Sequence, residues 1–357
     1  MQLGIIGLPQ SGKTTLFNAL TRGNMPTGIS GGKVEVHTAV VDVPDERVDV
    51  LSEIFKPKKI VYAKVTYADI AGLEGKAAEK GISGPLMNTL AHMDGFIHVV
   101  RHFSNPSVPH ETGSVDPLRD LSVMDGELIL NDLILVERKL ERLSEERKRG
   151  GFGRDKGLVD RETEFFEKMQ GLLTNEVPLR NEDFSDEEEK MLSSYGLLTL
   201  KPQLVVINQS EDQAPIQVDT PFGRTVALCM PARLEMDIAQ LPPEESEIFM
   251  QEYGITEPSL NRFVRLSYQL LDQLSFFTAG EKEVHAWTAH RGATAPEAAG
   301  VIHSDMEKGF IRAEVVSYQD LAELGGFAEA RQHGKLRLEG KKYVVQDGDV
   351  LTIRFNI

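Results

Sequence analysis

Leu3-Gly4-Ile5-Ile6-Gly7-Leu8-Pro9-Gln10-Ser11-Gly12-Lys13-Thr14-Thr15-Leu16-Phe17-Asn18-Ala19-Leu20 is the stretch whose reading decides the fold. Its middle, Gly7–Thr14, fits the pattern G-x-x-x-x-G-K-[ST]. A short apolar strand precedes it and an amphipathic helix follows, so the loop sits where a helix N-terminus faces an anion. Glycines let the backbone wrap a phosphate with its N–H groups, Lys13 places a point charge on the outer phosphates, and Thr14 offers a hydroxyl to Mg²⁺. Gly7, Pro9, Gln10, Ser11, Gly12, Lys13, Thr14 and Thr15 are therefore candidate nucleotide-binding residues. The competing reading, a chance glycine-rich turn, explains neither the strand before nor the helix after.

Two further motifs belong to the same chemistry. Asp69-Ile70-Ala71-Gly72 closes a strand about 55 residues after the lysine. An acid at that place holds the metal, with Thr14 as the other protein ligand, and the glycine lets a backbone N–H reach the terminal phosphate. Asn208-Gln209-Ser210-Glu211 stands where N-K-x-D commonly selects guanine. With glutamine for lysine and glutamate for aspartate, the carboxylate is one methylene longer and the guanine clamp is spoiled, so adenine is expected to be admitted. Asn208, Gln209 and Glu211 join the nucleotide-binding set, against the alternative of a polar loop with no base contact.

Working outward, apolar strand-like segments at Leu3–Ile6, Val34–Val43, Ala63–Ile70, Phe96–Arg101, Leu204–Asn208 and Val226–Met230 alternate with helical ones, which predicts an α/β unit with a mainly parallel sheet. The gap between the fourth and fifth strands is too long for one crossover. Within it Ile129, Leu133, Val136, Leu140 and Leu143 form a heptad seam, and Phe165, Met169 and Leu172 repeat the spacing, which predicts an antiparallel helical arm. Its tip carries Arg147, Lys148, Arg149 and Arg154 around a glycine-rich break. Such cations are either a solvated hairpin end or a probe for a phosphate backbone. The acidic run Asp186–Glu189 reads as a helix start. Further on, Pro242–Glu245 opens a helix and Leu260–Leu274 has helical spacing. A small α+β domain then follows, with a strand at Val284–Thr288, a helix at Ala295–Ile302, a strand at Ile311–Ser317 and a hairpin over Tyr343–Val350.

Length and composition set the bounds. A chain of 357 residues with 41% hydrophobic and 26% charged residues reads as two or three ordinary globular domains. No apolar run is long enough to cross a bilayer and the start does not read as a signal peptide, so neither secretion nor a membrane partner is expected. A single cysteine, Cys229, excludes an internal disulfide and a Cys-based zinc site and points to a cytoplasmic setting. The net charge of -16 disfavours indiscriminate nucleic-acid binding, and no DNA partner is expected. Residues 276–357 account for only -2 of that charge, so this end approaches a polyanion more easily than the acidic remainder. A monomer is expected.

Other residues carry bland readings: His98 and His102 as core or surface histidines, His303 and Asp305 as local hydrogen-bonding partners, Trp287 as core of the small domain, and Cys229 as inert.

Together with Phe276-Phe277-Thr278-Ala279-Gly280, Lys282-Glu283-Val284, Ala286-Trp287-Thr288, Ala295-Pro296 and Gly309-Phe310-Ile311-Arg312-Ala313-Glu314, these motifs resemble the YchF (Obg-like ATPase) family over nearly the whole chain. The resemblance implies an α/β P-loop NTPase fold, G-domain-like, over residues 1–124 and 200–275. It further implies an inserted antiparallel helical coiled-coil arm at 125–199 and a C-terminal β-grasp (TGS-like) domain at 276–357. It implies slow hydrolysis of ATP in preference to GTP with Mg²⁺, association with the ribosome or rRNA, and a switch role in translation or stress response; the cations at the arm tip, Arg147, Lys148, Arg149 and Arg154, are the candidate contacts on charge grounds. An Obg-type GTPase and a nucleotide-gated ribosome adaptor with negligible turnover are the alternatives. Lys13 and Gly72 are the expected catalytic residues. Leu73 stands where many GTPases place a water-orienting glutamine, and an alkyl chain cannot position water, so unstimulated turnover should be slow. Lys33 falls where the family usually supplies a metal-binding threonine, leaving Thr27, Ser30 or Thr38 as substitutes.

Overall fold

The computed structural model describes residues 1–25, 36–70, 82, 84–110, 112–148, 154–192, 194–217, 225–253 and 255–356. In chain order the elements are β1 Gln2–Ile6, α1 Lys13–Thr21, β2 Val36–Asp42, α2 Glu46–Phe55, β3 Ile60–Val61, β4 Lys64–Ile70, α3 Gly84–Ala91 and β5 Gly95–Arg101. The middle of the chain supplies α4 Pro117–Lys148, α5 Lys156–Thr174, α6 Asp186–Leu192, β6 Gln203–Asn208, β7 Thr225–Met230, α7 Ala232–Gln240, α8 Pro243–Glu252 and α9 Ser259–Leu270. The last part holds β8 Gln273–Ala279, β9 Val284–His290, α10 Ala295–Ile302, α11 Ser304–Lys308, β10 Phe310–Ser317, α12 Tyr318–Leu324, α13 Phe327–Gln332, β11 Arg337–Glu339 and β12 Asp349–Phe355.

The chain divides into two compact units. One comprises Met1–Ala39 and Thr66–Leu260, the other Val40–Val65 and Asn261–Ile357. In the first, a six-stranded sheet has the order β2-β4-β1-β5-β6-β7, and β4, β1, β5, β6 and β7 run parallel. β5 and β6 are buried along their whole length, as expected for strands covered on both faces by helices. All six predicted strands are present within two residues of their expected limits.

The predicted arm is α4 and α5. The seam Ile129, Val136 and Leu143 packs with Val159, Phe165, Phe166, Met169 and Leu173 in one apolar cluster, and Leu133, Leu140 and Leu172 lie at its edge. At the arm's root the fully buried Asp132 carboxylate accepts from the Leu198 and Thr199 backbone N–H groups at 2.9 and 2.7 Å, and from the Thr199 hydroxyl at 2.7 Å. These bonds pin the returning chain just before β6. The acidic run does open a helix, α6.

The second unit has a six-stranded sheet of order β11-β10-β12-β8-β9-β3. Its core joins Phe276, Ala289, Ala298, Phe310, Val315 and Leu351, with Trp287 half-buried against it and stacked on His285 at 3.6 Å. α2 and β3 belong here, although they lie early in the sequence. β3 pairs with β9 in parallel, Arg47 Nη1 reaches Asp347 Oδ2 at 2.6 Å, and Phe55 meets Phe327 at 5.3 Å. His303 Nδ1 accepts from the Asp305 backbone N–H at 3.1 Å, the local pairing expected of these two residues.

Two expectations are corrected. The helix over Leu260–Leu274 ends at Leu270, since Asp272 takes φ +50° and turns the chain into β8. Tyr343–Val350 is not a hairpin: Val344 makes only an isolated bridge to Thr294, and the Asp347-Gly348 turn delivers the chain into β12. The Asp349 carboxylate accepts from the Gln346 N–H and the Tyr343 hydroxyl, and two backbone bonds, Ala295 N–H to the Tyr343 carbonyl and Val345 N–H to the Ala293 carbonyl, hold the rest of the segment.

Candidate nucleotide site

β1 is buried from Leu3 to Ile6 and is followed by Gly7, which has φ +147°; a Cβ there would lie 2.3 Å from the Val99 carbonyl oxygen. Gly12 has φ +101° and precedes α1. A Cβ on Gly12 would sit 2.2 Å from Asn208 Nδ2, so both backbone conformation and space demand glycine. No side chain caps α1, which leaves its first-turn N–H groups for an anion. Lys13 Nζ donates to the carbonyls of Gly7 at 2.9 Å and Leu8 at 3.0 Å, holding the ammonium over the loop.

Thr14 and Asp69 come together as the two motifs require, with Thr14 Oγ1 donating to Asp69 Oδ2 at 2.9 Å. Burial pushes the Asp69 carboxyl above the usual carboxylate range, opposed by the Thr14 hydrogen bond and the charges of Lys13 and His37. Its other oxygen, Oδ1, is buried without a partner. A hydroxyl and a carboxylate with a spare oxygen are the hard donors that Mg²⁺ prefers, so these residues fit that ion.

Asn208 is buried and spends its amide on the scaffold. Nδ2 donates to the Ser11 carbonyl at 2.9 Å, and Oδ1 accepts from the Ala232 N–H at 3.1 Å. It ties the P-loop to the start of α7. Gln209 is half-buried, its Nε2 donating to the Gln213 carbonyl at 2.8 Å while Oε1 is buried without a partner. Glu211 lies in an exposed turn. Pro9, Gln10, Ser11 and Thr15 are in the loop and first helical turn, with Gln10 at φ +60°. Gly72, Leu73, Thr27, Ser30, Lys33 and Arg149 lie outside the described residues, and Thr38 is exposed on β2. Arg147 pairs with Asp160 at 3.4 Å, and Arg154 with Glu146 and Glu162 at 3.2 and 2.8 Å.

Sequence reasoning missed the layer behind the loop. Asn18 exchanges two hydrogen bonds with the Met25 backbone at 2.8 and 3.0 Å, fixing the exit from α1. His110 Nε2 meets Asp120 Oδ2 at 2.8 Å, and both line a narrow hollow with Leu8, Pro9, Ser11 and His98. An asparagine followed by a loop of no regular pattern gives no signal for such contacts.

A parallel sheet whose first strand feeds this loop, with an acid from a neighbouring strand on the loop's threonine, defines a P-loop nucleoside triphosphatase of the G-domain kind. The family described as "50S ribosome-binding GTPase" matches residues 2–127. The YchF-GTPase_C family, described as a protein of unknown function, matches residues 274–356. The chain is 41% identical over 366 residues to Ribosome-binding ATPase YchF of Bacillus subtilis, covering 99% of each chain. It is 35% identical over 370 residues to Obg-like ATPase 1 of Oryza sativa, covering 100% of this chain and 92% of the relative. The solved structure of the Schizosaccharomyces pombe YchF GTPase superposes with a TM-score of 0.86 at 33% identity, covering 99% of this chain and 97% of that one. The chain belongs to the YchF family. No helix among the described residues is long and apolar enough to cross a membrane.

Proposed function

We propose that this P-loop NTPase is a slow ATP hydrolase, with GTP as a weaker alternative, whose nucleotide state governs cytoplasmic association with the ribosome. The observation that carries the reading is the meeting of Thr14 and Asp69 beneath an uncapped helix N-terminus. The loop's N–H groups and Lys13 would hold the phosphates, and Thr14 and Asp69 would hold Mg²⁺, which when bound supplies charge neutralisation. Gly72 would offer its N–H to the terminal phosphate, and Leu73 adds no base, so hydrolysis rests on positioning and electrostatics. One feature supports adenine over guanine: Glu211 replaces the guanine-reading aspartate. The names of the relatives support the ribosome as partner. The proposed division is a P-loop domain of residues 1–124 and 200–275, an arm of 125–199 and a TGS-like domain of 276–357, acting as a monomer.

Competition calorimetry with ATP and GTP tests the base; a guanine preference of about tenfold, 1.4 kcal/mol, would overturn the ATP assignment in favour of an Obg-type GTPase. Single-turnover hydrolysis with and without ribosomes tests the switch. Stimulation by ribosomes is expected, and inactivity in both conditions would leave only a nucleotide-gated adaptor.

A further inference from the structure

β2 and β4 are neighbours in the first sheet, yet the chain between them, residues 43–63, is far longer than a turn and contributes its α2 and β3 to the second unit. α2 buries Val48 and Leu51 there. Its Arg47 guanidinium lies 5.0 Å from the centre of the Phe277 ring on β8, and Nη1 donates to Asp347 Oδ2 at 2.6 Å. β3 is laced to the turn between β8 and β9: the Lys58 N–H donates to the Glu281 carbonyl at 3.1 Å and the Val284 N–H to the Lys59 carbonyl at 3.0 Å. The neck of the segment is closed by the Val43 N–H on the Ala63 carbonyl at 2.8 Å and by Lys64 on Asp42 at 2.6 Å.

β4 starts at that neck. Lys64 and Val65 belong to the second unit, and Thr66–Ile70 to the first. From Val65 onward every residue of the strand except Thr66 is buried, and Thr66–Asp69 pair in register with Gln2–Ile5 of β1, which feeds the phosphate loop. Asp69 thus lies ~13 Å along one paired strand from Val65. A buried, hydrogen-bonded strand passes on a displacement that a loop would absorb. We propose that residues 43–63 couple the Thr14–Asp69 site to the second unit, so that Mg²⁺-nucleotide at that site and the fastening of α2 and β3 against β8 and β9 bias one another. The inference rests on the reading of Thr14 and Asp69 as the metal-binding pair. An ion shared by these two side chains replaces the hydrogen bond that now holds the end of β4, and the strand carries the adjustment to its neck. Linkage makes the effect reciprocal.

Hydrogen exchange at single amides of the full chain, read by NMR with and without a non-hydrolysable ATP analogue and Mg²⁺, tests the coupling. Exchange at the Lys58 and Val284 amides is expected to slow by at least ~5-fold when the analogue binds, and the change should exceed that in the β10–β12 ladder of the same unit. In the reverse direction, Asp347→Asn with Phe327→Ala loosens α2 while the asparagine keeps an acceptor for the Ser275 N–H. This variant should bind the analogue at least ~5-fold more weakly, with exchange in the β10–β12 ladder unchanged as the sign that it is folded. The inference is overturned if the Lys58 and Val284 amides do not respond, if they respond no more than the β10–β12 ladder, or if the folded variant binds the analogue as well as the unaltered chain. Failure of the site reading looks different: the analogue then fails to bind, or binds Asp69→Asn equally well in Mg²⁺, and the coupling falls with it.

Discussion

Thr14 Oγ1 and Asp69 Oδ2 are 2.9 Å apart although 55 residues of chain separate them. The contact fixes the end of β4 against the first turn of α1, and it leaves a buried carboxyl whose second oxygen has no partner. Burial raises the Asp69 carboxyl above its ordinary range. Its stabilising contribution is therefore present in acid and lost as pH rises through that raised value.

Asp69→Asn should keep an acceptor for Thr14 while removing the buried charge. The melting temperature without metal should hold or rise by about 2 °C, and Mg²⁺-dependent ATP affinity should fall at least ~10-fold. Because protons compete with the metal for the carboxylate, that affinity should decline on acidification in the unaltered chain and be flat in the variant. Scanning calorimetry and titration at several pH values read both.

Gly12→Ala should abolish nucleotide binding, since the new Cβ would fall 2.2 Å from Asn208 Nδ2 on a backbone at φ +101°. Asn208→Ala leaves the Ser11 carbonyl and the Ala232 N–H unpaired in a buried setting, a cost of roughly 2–4 kcal/mol. Denaturant melts and fluorescent-nucleotide titration read both effects: each variant should lose stability and affinity, the first because its new Cβ displaces the Asn208 amide on a strained backbone, the second because that amide is gone.

His98 is fully buried, and desolvation pushes its pKa from 6.5 down to about 4. The unfolded chain therefore takes up a proton that the fold refuses. The benefit is complete above pH 6.5 and falls away between about pH 6.5 and 4, by about 3 kcal/mol at 1.36 kcal/mol per unit. His98→Asn retains an acceptor for Gln203 and cannot titrate, so its stability should be flatter by that amount over the same window. Equal acid limbs in urea melts would contradict the assignment.

Replacing Arg147, Lys148 and Arg149 together by alanine should weaken ribosome co-sedimentation and lower its salt slope by roughly one unit per lost phosphate contact. Arg154→Ala should cost the arm less than about 1 kcal/mol, because Glu162 keeps its 2.6 Å pair with Lys139. Unchanged sedimentation across salt would remove the arm tip as an anchor.

The P-loop, the acid at the end of β4 and the arm were legible because each is a local pattern: a motif fixed by backbone geometry, or an apolar period that matches one secondary structure. α2 and β3 were not read as parts of the second unit. α2 buries only Val48 and Leu51, and β3 has two residues, so neither carries a period strong enough to announce its partner. Asn208 was singled out through its motif, but its work as a brace was not legible, since a hydrogen bond spanning 197 residues leaves no mark in spacing.

By itself the sequence determined that a glycine-rich loop of the phosphate-binding pattern joins the first strand to the first helix and that a heptad arm interrupts the sheet. Those follow from short-range backbone sterics and side-chain periodicity. Only the tertiary structure decided that Asp69 reaches Thr14 with an oxygen to spare and that Asn208 spends its amide on Ser11 and Ala232. Such pairings arise when distant segments are brought within 3 Å by packing, and hydrogen-bond satisfaction in a buried setting is a property of the assembled chain.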